Sequence, residues 1–311
     1  MATIGPMLLT DLPTEIVLEI ISYHTYSFDF HCPLIRQEGP IERDPLRQVL
    51  RSLSQTCCAL RGLSLPFLWE RFDISRPIVS PESPVEVLIL PYIKSVHVSG
   101  RTWSPTLLQT NRLVAFLRTL PNLAGLQINR SANLQLHNLV HALGSAPLPT
   151  VTALSIPHWS HEIFPAFPNV ISLACPTIFP STPQLAPAKL HFPHLQALVG
   201  VRFTEDNSDA QVTALIRDFP HLRVLALATA LLVSCRGVFD HLRALADLNE
   251  LSLFQSSTSR PVSTQNPYLA LDVVITGGRN VLHASRAPGP KILRVWKEDP
   301  EGPRLAHFER C

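Results

Sequence analysis

This 311-residue chain is poor in glycine, aromatic residues and charge, with 12 Gly, 7% aromatic and 16% charged side chains. Few glycines beside 29 prolines exclude flexible linkers and predict many rigid breaks between short elements. The 26 basic and 24 acidic residues leave a net charge of +2. No block of like charge occurs, so there is no electrostatic case for nucleic acid or an anionic membrane as a partner. Cys-x-x-Cys pairs are absent, and Cys32, Cys57, Cys58, Cys175, Cys235 and Cys311 are scattered. In a chain of this length they read as reduced thiols of a cytoplasmic or nuclear protein. The first apolar segment has no basic residues before it and is interrupted by Asp11 and Glu15, so no secretory signal is expected there. The longest apolar run, Val224 to Cys235, falls far short of the ~20 residues of a membrane span.

Catalytic signatures are missing too. There is no Gly-x-Ser-x-Gly elbow, no phosphate-cradling glycine loop and no dinucleotide fingerprint, so neither an enzyme nor a cofactor is expected. The densest possible metal cluster, His158, His161 and Glu162 in "HWSHE", has no second ligand pair and reads as a surface loop. Adjacent Cys57 and Cys58 do not match zinc spacing and read as helix interior. Nothing sets a nucleophile beside a base.

What the chain does have is apolar residues, 46% of the total, in two patterns. The first is "LTDLPTEIVLEIISYH", Leu9 to His24. At about 100° per residue, Ile16, Ile20, Val17, Ile21 and Leu18 cover roughly 200° of a helix circumference. That is more than the stripe a surface helix needs to cover its own core. Pro13 suits the first turn, Glu15 complements the helix dipole there, and Asp11 is either the cap or the residue just outside it. Asp44 followed by Pro45 predicts a second helix start, with Leu46, Val49, Leu50, Leu53, Cys57 and Leu60 at helical spacing and Gly62 as its stop. "SLPFLWERFDI" follows, with Pro66, Leu68 and Trp69.

This region resembles the F-box family. The resemblance rests on Leu12, Pro13, Glu15, Ile16 and Ile20, on the Cys-bearing stretch "LSQTCCALRGL", and on the closing Leu68 and Trp69. It covers residues 9 to about 74, with a longer interval from His24 to Arg43 than is usual in that family. It implies a three-helix module over residues 1–76 that docks a Skp-type adaptor and through it a cullin. The adaptor-binding residues so implied are Leu12, Pro13, Glu15, Ile16, Leu18, Ile20, Leu53, Cys57, Leu60, Leu68 and Trp69. An exposed apolar patch of this kind marks an interface. The alternative is that these side chains pack against the rest of the same chain.

The second pattern follows a connector, residues 77–90, and fills residues 91–255. A proline is followed by apolar residues two, five and seven positions later. The phrase starts at Pro91, Pro121, Pro149, Pro168, Pro193, Pro220 and, without proline, Ala246. Of its 21 apolar slots 20 are filled, Gly200 being the exception, and starts recur every 19 to 30 residues. Leu-x-x-Leu-x-Leu at that period is the strand of a leucine-rich repeat. Helix signals lie between the phrases, in "NRLVAFLRTL", "LHNLVHALG", "SDAQVTALIRDF" and "GVFDHLRAL".

The expected fold class is therefore α/β: a small N-terminal three-helix F-box module followed by a curved leucine-rich-repeat-like α/β solenoid. An ordinary parallel α/β domain is the alternative. Residues 256–311 read as an irregular C-terminal cap, with a hairpin about Gly277 and Gly278 and "KILRVW" as the last strand. Alternation places His97, Gln127, Asn129, Ser155, Ser172, Val224, Glu250 and Ser252 on the outward, concave face of the strands, where a target protein would bind. The expected role is that of the substrate-recognition subunit of an SCF-type ubiquitin ligase. The alternative is an interaction scaffold with no link to ubiquitination.

Overall fold

The structure, a computed structural model, describes residues 15–16, 45–74, 88–98, 106–128, 136–144, 146–156, 161–175, 185–202, 208–228, 236–255, 267–299 and 302–310. It is a mixed α/β fold around one ten-stranded sheet. Helices α1 (Pro45–Thr56) and α2 (Cys58–Trp69) come first, then β1 (Arg71–Ile74), β2 (Ser95–Val98), α3 (Leu107–Thr119) and β3 (Gly125–Ile128). Next are α4 (Leu136–Leu143), β4 (Ala153–Ser155), a 3-10 helix (His161–Ala166), β5 (Ser172–Ala174), α5 (Leu185–His191) and β6 (Ala197–Arg202). The chain continues with α6 (Ser208–Asp218), β7 (Val224–Ala228), α7 (Arg236–Leu242), β8 (Glu250–Gln255), α8 (Pro267–Ala284), β9 (Ile292–Asp299) and β10 (Gly302–Arg310).

Strand order equals chain order, and every pairing is parallel except the last, β9 with β10. The Pro phrase is what builds it. In six of its seven copies the residue before the phrase start accepts a hydrogen bond from the N–H three residues on. Phe167 accepts from Val170 at 3.4 Å and Phe192 from Leu195 at 3.2 Å; Leu90, Leu148, Phe219 and Leu245 do the same. The phrase start is thus the second residue of a tight turn, a position where the fixed φ of proline is pre-set. The residue before it is a further core position, and Leu120, Leu148, Phe167, Phe192, Phe219 and Leu245 are all buried. Each strand from β2 to β8 then begins by donating two N–H groups to one carbonyl of the segment before it. Lys94 accepts from Ala124 and Gly125, Ala124 from Thr152 and Ala153, and the same step recurs through Arg223.

The apolar slots of the phrase form the sheet side of the core. Val96, Leu126, Leu154, Leu173, Leu198, Leu225 and Leu251 lie in one cross-strand row, each 1% exposed or less. Helices supply the other side, with Leu113, Leu117, Leu139, Val212, Leu215, Val238 and Leu242. A capping box, Thr106 with Gln109, starts α3.

Gly200, the unfilled slot, sits at a bulge. The register slips between Val199 and Val201, and Val201 takes the core place at 0% exposure. Gly200 has φ +83°, and a Cβ there would lie 2.0 Å from the Cys175 carbonyl oxygen. Only glycine fits both demands.

Four sequence expectations are corrected. Gly277 and Gly278 form no hairpin but lie inside α8. A Cβ on Gly277 would meet the Phe239 ring at 2.6 Å and one on Gly278 would meet Leu293 at 2.7 Å, so glycine lets the helix approach its neighbours. "KILRVW" is not the last strand, because β10 returns antiparallel beside it. Gly62 does not stop a helix, and the Cys pair is not helix interior. The break is at Cys57, whose extended backbone (φ −155°) and Sγ cap Leu60 N–H at 3.5 Å, and α2 runs on through Gly62 and Pro66. The sheet also starts earlier and ends later than the Pro phrase, taking in β1, β9 and β10.

Candidate functional site

Two surfaces carry the residues singled out from the sequence. The first is the helical pair. Glu15 and Ile16 are helical and exposed, Ile16 at 41%; Leu12, Pro13, Leu18 and Ile20 lie outside the described residues. Helices α1 and α2 enclose a small core of their own, Leu50 and Leu60, with Leu53, Cys57, Leu63, Phe67 and Leu68 packed around it. Leu60 is therefore interior, while Leu53, Cys57, Leu68 and Trp69 are half-buried. Val49, on the outside of α1, is 55% exposed.

A charged knot fastens this pair to the sheet. Arg47 of α1 donates to Asp73 of β1 at 2.9 Å, and His97 Nδ1 of β2 is 2.9 Å from the same carboxylate. Arg71 Nη2 is also 2.9 Å from His97 Nδ1. A guanidinium only donates, so Nδ1 either accepts from Arg71 or donates to Asp73, according to tautomer. Burial pushes the Asp73 carboxyl up, but the His97 hydrogen bond and the charges of Arg71, His97 and Arg47 outweigh it and hold the group below its ordinary value. An aromatic chain, Trp69 to Phe72 to Phe116, backs the knot at centroid distances of 6.3 and 5.6 Å.

The second surface is the sheet face turned away from the helices. Its strand positions align in two cross-strand rows. One runs Ser95, Gly125, Ala153, Ser172, Ala197, Val224, Glu250, Ile292; the other runs His97, Gln127, Ser155, Ala174, Val199, Ala226, Ser252, Arg294. Seven of the eight expected target-binding residues thus share one face; Asn129 lies outside the described residues. Their exposure is uneven. Gln127 and Val224 are half-buried, whereas His97, Ser155, Ser172, Glu250 and Ser252 are 7% exposed or less. Small side chains on strands about 4.8 Å apart shield one another. Phe254 packs against the small cluster of Ala174, Val199 and Ala226 and stacks on Trp296 at 6.0 Å, 6° from parallel. Glu250 is hydrogen-bonded to Arg294.

Beside the first row, at the starts of β5 to β9, lies a groove of about 260 Å3 with Ile171, Val224 and Ile292 along it and Arg223 and Asn249 at its polar side. Buried Ser155 Oγ, Ser252 Oγ and His97 Nε2 have no hydrogen-bond partner among the described residues. Asp73 holds His97 as an orienting carboxylate holds a general base, but no hydroxyl or thiol is hydrogen-bonded to Nε2 there. Among the described residues no three His, Cys, Asp or Glu side chains gather as a metal site, and no helix is long and apolar enough to cross a membrane. The His slot of the phrase joins neighbouring units, with His221 Nδ1 2.9 Å from Asp247 Oδ2. Asn122 and Asn169 occupy the same slot and donate to the carbonyls of Pro91 and Pro149 at 2.7 and 2.9 Å.

Sequence reasoning missed Arg47, Asp73 and Arg294. Each is one charge among uncharged or mixed neighbours, and only pairing across 24 or more residues gives it a role. No family model matches the sequence, and no curated protein matches it either.

Proposed function

We propose that this chain is the substrate-recognition subunit of an SCF-type E3 ubiquitin ligase. In this reading the N-terminal helices form an F-box module that docks a Skp-type adaptor and through it a cullin. The strands form a leucine-rich-repeat-like solenoid whose second sheet face holds a target protein. No residue of the chain performs chemistry; it raises the local concentration of the target's lysines near the conjugating enzyme.

The observation that carries this reading is the separateness of the helical pair. It closes a two-residue apolar core of its own and leaves Val49 exposed, and Ile16 ahead of it is exposed too, as in a docking module. The repeated turn, strand and shared carbonyl from β2 to β8 support the repeat half of the reading. One observation favours the alternative of an interaction scaffold with no tie to ubiquitination: the Arg47–Asp73–His97 knot already binds the pair to the sheet.

The two readings part on co-purification of the full chain with a Skp-type adaptor. Wild type is expected to bring the adaptor down, and Ile16→Asp or Val49→Asp to lose it with an unchanged melting profile. Failure of wild type to bind purified adaptor removes the ligase reading and leaves the scaffold.

A further inference from the structure

We propose that β10 is a self-pairing edge, through which two copies of the chain join antiparallel into one continuous sheet. The inference is independent of the ligase reading, since it concerns the opposite end of the molecule. The two sheet edges differ. β1 is four residues long, whereas β10 is nine, and it pairs among the described residues with β9 alone. A long edge strand is a template for pairing with another chain.

Its side chains agree. Leu305 is 47% and Phe308 54% exposed, two of the few large apolar side chains left in solvent. Residues three apart on a strand ordinarily point to opposite faces. Here the register shift between Leu305 and His307 brings both onto one face, opposite Trp296 and Arg294 of β9. Both therefore extend the second sheet face beyond the Phe254–Trp296 stack.

The occupant that fits is β10 itself. An antiparallel pairing centred between Ala306 and His307 sets Leu305 of each copy opposite Phe308 of the other. The same register sets position 304 opposite 309 and position 303 opposite 310, where the sequence has Arg against Glu and Pro against Arg. Residues paired this way already share a face in the β9–β10 ladder, so the bulge does not spoil the match. A two-fold axis through that centre closes the assembly at two copies.

Sedimentation velocity of the full chain across a concentration series tests this. Wild type should move from 34.5 kDa to twice that mass, and Phe308→Lys or Leu305→Lys should abolish the dimer without changing the melting profile. Register is read by mixing Leu305→Cys copies with Phe308→Cys copies, each also carrying Cys311→Ser. A disulfide-linked dimer should form in the mixture and in neither variant alone. A chain that stays monomeric throughout, whether or not the strand of another protein pairs there, overturns the proposal. So does a dimer that survives Phe308→Lys, or a link formed by Leu305→Cys alone.

Discussion

The helical pair and the sheet solve the same burial problem at different scales. The sheet is lined along its length by a continuous apolar core, in which most side chains are less than 3% exposed. The pair has two buried apolar residues and a ring of half-buried ones. Apolar burial stabilises at about 25 cal/mol per Å2, so the pair has little surplus once its backbone entropy is met. It leans on the sheet through Arg47, Asp73 and the Trp69–Phe72–Phe116 chain. A module held this lightly keeps apolar surface available for a partner, and a continuous core does not.

The difference is broken most severely from the sheet side. Gly200→Val places a Cβ within 2.0 Å of the Cys175 carbonyl on a backbone at φ +83°, with buried strands on both sides. The clash is with backbone and has no flexible neighbour to yield, so the cost is more than about 4 kcal/mol. Denaturant melts followed by circular dichroism should show loss of the whole fold. Leu60→Ala acts in the other region. It removes half of the pair's buried core at about 2–3 kcal/mol, the low end of such deletions because a core this small collapses easily. Limited proteolysis should then cut within residues 45–69 while the sheet melts as before. A shift of the sheet transition by the same amount would show that the two regions unfold as one.

The two regions were also unequally legible. The sheet was readable because a phrase of Pro and three apolar positions repeats, and repetition separates a real pattern from chance. Its core row, Val96 through Leu251, coincides with the middle slot of that phrase. What the phrase hid was the reason for its proline and the ends of the array. β1 and β10 lack the phrase, β9 has Pro288 five residues before its core Leu293 but a second proline in the first apolar slot, and β-pairing between distant segments leaves no local mark. The glycines misled because the same residue serves stops, bulges and close approaches. Gly277 and Gly278 look like a turn until Phe239 and Leu293, distant in sequence, press on them. In the helical pair, Cys57 ends one helix and caps the next with a thiol, a weak acceptor that no common capping pattern announces. Of the candidate sheet-face residues, alternation grouped each described one on the face away from the helices but could not say which are shielded, since exposure depends on neighbours such as Phe254 and Trp296.

The join between the regions is sharpened by pH. The folded Asp73 carboxyl is held below its ordinary 3.8, so its charged form stabilises the native state. That contribution is fully present above pH 3.8 and is lost as pH falls through the depressed folded value. Asp73→Asn removes the carboxylate while Arg47 and Arg71 stay partly buried, at a cost of about 1–2 kcal/mol at pH 7. Its stability should be flatter with acid than that of wild type below pH 3.8. Acid melts of the two proteins side by side check this, and parallel acid limbs would show that Asp73 does not fasten the join.

The smallest effect belongs to the links between neighbouring units of the sheet. Asn169 donates to the Pro149 carbonyl at 2.9 Å at an exposed turn, as Asn122 does to Pro91. Asn169→Ala removes one hydrogen bond and leaves a carbonyl that water can reach, so the expected cost is about 0.5 kcal/mol. The side chain spans two turns that the backbone already joins, because Thr152 O accepts both Ile171 and Ser172 N–H. Replacing Asn122 and Asn169 together should therefore cost the sum of the two single changes, the sites being well apart in the sheet. A double-mutant cycle in urea that departs from that sum by more than about 0.5 kcal/mol would mean that the turns act as one ladder, and that the sheet edge beside the helical pair is as tightly coupled as its middle.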